Sequence, residues 1–283
     1  MSDKVDTVAC ELCPHHCRLS EGRVGLCRAR KAVDGRVQSL SYGKVTSLAL
    51  DPIEKKPLVR FHPGSSVLSV GSFGCNLSCP FCQNASIAQV GIERVVCEDL
   101  APEELVDRAC DLRSIGCIGI AYTYNEPLVG FEYVKDCSTL AHEAGLLNVL
   151  VSNGMVEREP LAELCGLIDA ANIDLKGFSQ DSYSRLRGDL SAVMRTIETF
   201  ARDGACHLEV TTLVVPGLND RVEEIREAAR WLASLDPNIT YHLTRFFPRY
   251  RMADERPTSL AVLQELAEAA SEYLNDVVLG NCP

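Results

Sequence analysis

The sequence contains no long hydrophobic run. Its longest apolar segments are "LLNVLV" (146–151) and "LEVTTLVVP" (208–216), whereas a membrane-spanning helix needs about 20 apolar residues. The first residues, "MSDKVDTVACE", also lack the apolar core that defines a signal peptide. We therefore predict a cytoplasmic protein with no membrane partner.

Positive charge is scarce as well. The chain of 283 residues has 28 lysines and arginines against 39 aspartates and glutamates, which gives a formal net charge of −11. Nucleic acids and anionic membranes attract proteins through clusters of basic side chains, and no basic run stands out in this sequence. We predict no nucleic-acid partner, while a local basic site stays compatible with the composition.

Cysteine, by contrast, is abundant, with 14 residues. In a cytoplasmic protein thiols stay reduced, so closely spaced cysteines are better candidates for metal ligands than for disulfides. Seven of the cysteines fall in two short clusters, within residues 10–27 and 75–82. Of the other seven, Cys282 has no cysteine near it in the sequence, and we interpret the remaining six as small buried hydrophobic residues: Cys97, Cys110, Cys117, Cys137, Cys165 and Cys206.

From residue 66 onward, strand-like and helix-like segments alternate. Predicted strands cover 66–73, 118–124, 148–153, 170–176, 207–215, 239–246 and 277–280, and predicted helices cover 102–115, 130–145, 158–167, about 179–203, 220–234 and 257–274. Nearly continuous apolar strands separated by helices indicate a parallel sheet, either a barrel or a doubly wound sheet.

Polar residues decide between these two folds. They cluster at or just beyond the carboxyl ends of the predicted strands, where barrels place their active sites. We therefore predict an α/β fold, a partial (β/α)6 TIM barrel over residues 66–283. A small N-terminal cysteine-rich metal-binding module and a hairpin precede it in residues 1–65.

The second cysteine cluster directly follows the first predicted strand of the barrel. In "GCNLSCPFCQN" (74–84), Cys75, Cys79 and Cys82 have the spacing C-x3-C-x2-C. Three thiolates can hold three irons of a [4Fe–4S] cluster and leave the fourth iron open to a small ligand. The alternative is a structural zinc site that takes a fourth ligand from elsewhere, such as Cys97 or a histidine.

Three further segments place polar residues at strand ends. They are "YTYNEP" (122–127) with Glu126, "SNG" (152–154) with Ser152 and Asn153, and "DLK" (174–176) with Asp174 and Lys176. A carboxylate suits a ligand's ammonium group. Taken alone, the first segment also fits a solvated turn, and Asp174 with Lys176 also fits a structural salt bridge.

These motifs, in this order, resemble the radical S-adenosylmethionine (SAM) superfamily, in which an aromatic residue such as Phe81 precedes the third cysteine. With "CELCPHHCRLSEGRVGLCRAR" (10–30), "IDLKGF" (173–178) and "TRFFPRY" (244–250), the set resembles the AmmeMemoRadiSam system radical SAM enzyme. That group lies close to pyruvate formate-lyase activating enzyme and other activators of glycyl radical enzymes. The resemblance implies that SAM chelates the open iron, that Glu126 holds its ammonium, and that the other two segments, with Ser152, Asn153, Asp174 and Lys176, contact the rest of SAM.

The implied activity is that of a radical SAM enzyme, an activating-enzyme-like oxidoreductase. Flavodoxin or ferredoxin would supply an electron to the cluster, and SAM would be cleaved to methionine and a 5′-deoxyadenosyl radical that abstracts a hydrogen atom from a substrate. The substrate is either a glycine of a partner glycyl radical enzyme or a small molecule or other protein residue. A non-catalytic zinc or iron–sulfur protein that acts in binding or electron transfer is the third alternative.

The first cysteine cluster has the spacing C-x2-C-x3-C-x9-C, formed by Cys10, Cys13, Cys17 and Cys27. Four thiolates complete a tetrahedral shell, so this set predicts a structural site rather than a second SAM site. The spacing fits zinc or a second iron–sulfur cluster, and we favour zinc. His15 or His16 could replace one of the thiols.

Overall fold

The structure is a computed structural model that describes residues 6–282. Residues 1–5, part of the segment predicted to contain no signal peptide, lie outside the described residues, as does the last residue of the predicted barrel region. Within the described residues, no helix is both long enough and apolar enough to cross a membrane.

Strands and helices alternate along most of the described chain. The strands of residues 6–282 are β1 (Thr7–Ala9), β2 (Arg18–Ser20), β3 (Arg30–Val33), β4 (Arg36–Ser39), β5 (Lys44–Val45), β6 (Ser47–Pro52), β7 (Ser66–Gly71), β8 (Glu98–Asp99), β9 (Cys117–Tyr122), β10 (Leu147–Ser152), β11 (Ala170–Asp174), β12 (His207–Val214), β13 (Thr240–Arg245) and β14 (Val277–Gly280). The α-helices of the same residues are α1 (Ala85–Ala88), α2 (Pro102–Asp111), α3 (Phe131–Glu143), α4 (Arg158–Leu164), α5 (Gln180–Arg185), α6 (Leu190–Asp203), α7 (Val222–Leu235) and α8 (Leu260–Ser271).

One large sheet organises the described residues, with the strand order β14-β13-β12-β11-β10-β9-β7-β6. From β7 to β14 all neighbouring strands are parallel, and helices connect them in sequence, as parallel pairing requires. β6 pairs antiparallel with β7, and β6 and β14 form the two edges. The predicted α/β fold with a parallel central sheet, consistent with a partial TIM barrel, is confirmed.

Two local expectations differ from the structure. The helix predicted over about 179–203 is two helices, α5 and α6. Between them Arg187 has a φ of +57°, a left-handed conformation that interrupts a helix. The Asp189 carboxylate accepts hydrogen bonds from the N–H groups of Ser191 and Ala192 in the first turn of α6. In addition, β6 lies in the region predicted as a separate N-terminal module, yet it belongs to the large sheet.

Residues 53–62 cross the end of the barrel where the parallel strands begin, and we call them the crossing segment. Its Ile53 and Leu58 are fully buried and pack in one apolar cluster with residues of β7, β9, β10 and β11. The Asn172 side chain on β11 donates a hydrogen bond to the Pro57 carbonyl at 2.8 Å. The crossing segment therefore closes the barrel opposite the carboxyl ends of its strands.

Glu209 on β12 fixes the far end of the crossing segment. Its fully buried carboxylate accepts hydrogen bonds from the backbone N–H groups of Val59 and Arg60 at 3.2 and 2.9 Å, and also from His207 and His242 at 2.9 and 2.5 Å. Burial alone would raise the pKa of Glu209, but these donors outweigh burial and lower the pKa from 4.5 to about 2.

We predict that Glu209→Gln lowers the free energy of unfolding by about 1.5–3 kcal/mol at neutral pH, because a charged hydrogen-bond acceptor is lost. The folded-state pKa lies below the unfolded one, so this stabilisation is present above pH 4.5 and is lost as the pH falls from 4.5 to about 2. Urea unfolding at several pH values measures it. A difference between wild type and variant that stays constant from neutral pH to pH 3 would contradict this role.

Candidate active site

The loop that carries Cys75, Cys79 and Cys82 starts directly after β7. Gly74 has a φ of +85°, and a Cβ atom at this position would lie 2.5 Å from the Cys27 carbonyl oxygen. Only glycine fits this approach without strain. The loop then brings all three cysteines to one cavity of about 380 Å³, and the neighbouring Phe81 is buried at 3% exposure.

The cavity lies at the carboxyl ends of the parallel strands, as the sequence predicted for an active site. Besides the three cysteines, its lining includes Glu126, Ser152, Asn153, Asp174 and Lys176. The structure thus brings every predicted ligand of the cluster and of SAM to a single cavity. Among the described residues that line it, neither Cys97 nor a histidine is present, so the alternative fourth zinc ligands lie elsewhere.

Glu126 follows β9 and is 3% exposed. Its carboxylate accepts hydrogen bonds from the backbone N–H groups of Leu128 and Asn153 at 3.0 and 2.8 Å, and from the Ser152 hydroxyl at 2.8 Å. Burial raises the pKa of Glu126 from 4.5 to about 7, and the three donors only partly oppose it. The carboxylate is held in one orientation and keeps one lone-pair direction free for a cation.

Asp174 and Lys176 form an ion pair at the end of β11, with Nζ 2.8 Å from Oδ2. Burial would lower the pKa of Lys176, but Asp174 and the nearby Cys79 thiol outweigh burial and raise it. The ammonium therefore stays charged. Since both side chains line the cavity, the salt bridge predicted as the structural alternative exists and lies where a ligand would contact it.

Two asparagines brace the cysteine loop. Asn125, which directly precedes Glu126 at the end of a strand, accepts a hydrogen bond from the Ser72 N–H and donates to the carbonyls of Phe73, Gly74 and Glu126. Asn153 donates to the Asn76 side chain at 2.9 Å and lies 3.6 Å from the Cys75 sulfur.

We predict that Asn125→Asp disrupts the cysteine loop more than Asn125→Ala. Aspartate keeps the acceptor for Ser72 but replaces the donor amide with a carboxylate oxygen that faces three carbonyl oxygens, so buried acceptors face one another. The extra loss of stability should be about 1–3 kcal/mol. Thermal unfolding of the two variants and their iron content after anaerobic reconstitution measure the effect, and equal losses in both would contradict it.

The crossing segment supplies the other end of the cavity, through Lys55, Lys56 and Pro57. Lys56 is 3% exposed and pairs with Asp51 at 2.8 Å, and Asp51 also accepts a hydrogen bond from the Tyr124 hydroxyl at 2.7 Å. Burial lowers the pKa of Lys56, with Asp51 opposing it only in part. Sequence reasoning missed these residues because 51–58 shows no periodicity and its contacts are made far along the chain.

The cavity fits a thiolate-bound cluster with a polar ligand beside it. Burial raises the pKa of all three thiols, to about 11 for Cys79, so cluster binding has to displace their protons. The buried Thr211 hydroxyl lines the cavity and has no hydrogen-bond partner within the described residues, as expected where a ligand completes the site. In residues 6–282 no group of three or more His, Cys, Asp or Glu side chains is already spaced to hold a metal ion, so cluster binding has to draw the three thiols together.

The four N-terminal cysteines line a second, separate cavity. Cys10, Cys13, Cys17 and Cys27 surround a space of about 10 Å³, together with His15 and Arg30. Cys10 and Cys27 are buried at 8% exposure each. The structure therefore brings the predicted set together. Any ion must draw the thiols in, as is common where metal binding completes a site.

The sequence comparisons agree with this geometry. A model of the Radical SAM superfamily matches residues 69–232, more than half of the chain, and the chain belongs to that superfamily. Over 279 residues, 98% of this chain and 82% of the relative, it is 38% identical to the uncharacterized protein MJ0808 of Methanocaldococcus jannaschii. Superfamily membership implies a [4Fe–4S] cluster and SAM as cofactors.

Solved structures share the fold. A domain of pyruvate-formate lyase-activating enzyme from Bacteroides vulgatus ATCC 8482 matches with a TM-score of 0.50 and 18% identity, over 58% of this chain and 99% of that one. Streptococcus suis SuiB bound to S-adenosylmethionine matches with a TM-score of 0.58 and 13% identity, over 76% of this chain and 52% of that one. At these identities the likeness shows the fold, and the chain spans about half of SuiB.

Proposed function

We propose that this radical SAM enzyme binds a [4Fe–4S] cluster through Cys75, Cys79 and Cys82 and cleaves SAM reductively beside it. One observation carries the proposal. The three thiols share one cavity with Glu126, Asn153, Asp174 and Lys176, which come from three different strand ends. When bound, the cluster supplies the electron that breaks the SAM sulfonium bond and yields methionine and a 5′-deoxyadenosyl radical.

The chain's own residues bind and orient SAM. The Glu126 carboxylate, already fixed by three donors, receives the methionyl ammonium, because burial strengthens a charge-assisted hydrogen bond. Lys176, held by Asp174, attracts the methionyl carboxylate, and Ser152 and Asn153 keep Glu126 in place. The buried Phe81 excludes water from the cysteine side of the cavity.

The substrate side of the proposal rests on resemblance. The likeness to the activating-enzyme group makes a glycine of a partner glycyl radical enzyme the first candidate. SuiB, which has also been solved with the precursor peptide SuiA, makes another peptide residue a second candidate. A small molecule is the third. We propose flavodoxin or ferredoxin as the electron donor.

Anaerobic reconstitution with iron and sulfide, followed by reduction in the presence of SAM, tests the proposal. We expect 5′-deoxyadenosine and methionine in equal amounts, with an electron paramagnetic resonance signal of the reduced cluster that changes when SAM is added. A reconstituted protein that holds iron but returns SAM intact would instead support the non-catalytic alternative, a binding or electron-transfer protein.

A further inference from the structure

The N-terminal thiol site, Cys10, Cys13, Cys17 and Cys27, is separate from the active-site cavity and is not used by the proposed reaction. Its backbone is well fixed. The antiparallel strands β1 and β2 flank the loop that carries the first three thiols, and the Cys10 N–H donates to the Cys17 carbonyl at 3.0 Å. The fourth thiol, Cys27, comes from the segment that leads into β3. Two separate stretches of backbone therefore face each other across the thiols.

The chemistry of this cavity favours one thiophilic ion. Four thiols surround a space of about 10 Å³, and four thiolates form the closed tetrahedral shell that is typical of a structural zinc ion.

Arg30 suits such an occupant. A zinc ion with four thiolates carries two negative charges in a buried site, and these need a compensating cation nearby. Arg30 lines the same cavity and is 7% exposed. Its outer nitrogens bind Glu132, whereas its buried Nε has no hydrogen-bond partner within the described residues. That N–H is available to a thiolate.

This site is also joined to the proposed cluster loop. The carbonyl of Cys27 accepts a hydrogen bond from the backbone N–H of Cys75 at 3.1 Å. The His15 ring nitrogen Nε2 lies 2.7 Å from the carbonyl oxygen of Asn76, and because a carbonyl only accepts, Nε2 carries the proton. The Asn76 side chain in turn accepts a hydrogen bond from Asn153 in the active-site cavity.

We propose that the N-terminal thiol site binds one Zn²⁺ through its four thiolates and that this ion fixes the loop of Cys75, Cys79 and Cys82. Binding releases the four thiol protons to solvent. The ion holds Cys27 and the backbone beside His15 in place, and their two hydrogen bonds then hold Cys75 and Asn76. The second half of the proposal rests on the cluster assignment made above, whereas the first half does not.

Metal analysis tests the ion. A variant with Cys75, Cys79 and Cys82 all changed to Ala should contain one zinc per chain and no iron. Adding Cys13→Ala and Cys17→Ala should remove the zinc, while adding Cys110→Ala, a partly buried cysteine on α2, should not. If the first variant retained iron, the site would hold an auxiliary iron–sulfur cluster and the zinc proposal would be wrong. If that variant contained neither zinc nor iron, the four thiols would not form a metal site.

The rate at which a chelator strips iron from the reconstituted protein tests the coupling. His15→Ala keeps all four thiols, so we expect one zinc per chain and iron loss about two- to tenfold faster, the factor of one lost hydrogen bond. If His15→Ala lost the zinc, the His15 imidazole would be a zinc ligand, and the proposal of four thiolate ligands would be wrong. Zinc retained with an unchanged rate would overturn the coupling, whereas a wild-type protein that forms no cluster would refute the proposed function and not the zinc site.

Discussion

Replacing Cys75, Cys79 and Cys82 together with Ala should abolish SAM cleavage, the largest effect that we expect from any substitution in this protein. The three thiols are the soft ligands of the active-site cavity, and iron–sulfur clusters require thiolates of this kind. Without these thiols the protein cannot bind the cluster that would transfer an electron to SAM. The measurements are the visible absorbance of the reconstituted protein, its acid-labile sulfide, and 5′-deoxyadenosine formation.

The matched control removes cysteines of the same type from outside the cavity. Cys110 and Cys165 are both partly buried and neither lines the active-site cavity, so the Cys110→Ala, Cys165→Ala double variant should retain the cluster and the activity. Undiminished iron, sulfide and 5′-deoxyadenosine in the triple variant would show that the cluster is bound elsewhere. Iron lost equally in the control would point to general misfolding.

The fold was predictable because the alternation of apolar segments and amphipathic segments along the sequence matches the alternation of strands and helices in the parallel sheet. β7, β9, β10, β11, β12 and β13 all begin or end within two residues of their predicted bounds, since each is a short apolar run between helices. The error at 179–203 has a local cause. Arg187 takes a left-handed conformation, which arginine adopts only when its surroundings favour it, and nothing in the amphipathic pattern reports that.

The candidate site was predictable where it follows strand ends and unpredictable where it depends on distant contacts. Glu126, Asn153 and Asp174 are polar residues after apolar strands, so their convergence follows from parallel topology. Lys56 and Pro57 reach the same cavity because Asn172 and Glu209 bind the crossing segment from more than 100 residues away. Contacts between residues so far apart in the chain produce no periodic pattern, so they cannot be predicted from a single sequence.

Glu126→Gln should weaken SAM binding by about 1.5–3 kcal/mol, or about ten- to a hundredfold in Kd, because a charge-assisted hydrogen bond to the SAM ammonium is lost. The substitution should also lower the stability of the folded protein. Oε1 accepts from Leu128 and Ser152 and Oε2 from Asn153, so a glutamine amide nitrogen faces a backbone N–H in either orientation. Stability should fall as well, by about 1–3 kcal/mol.

Two comparisons separate the loss of charge from the loss of structure. Ser152→Ala removes one of the three donors to Glu126 at constant charge, so it should lower thermal stability while changing SAM affinity less than Glu126→Gln does. Glu143→Gln removes an exposed carboxylate at the end of α3 and should change neither. Equilibrium binding of SAM to the reconstituted variants, measured beside their unfolding midpoints, gives both quantities. If Ser152→Ala and Glu126→Gln weakened SAM binding equally, Glu126 would act by shaping the strand end, and the ammonium would have to bind elsewhere.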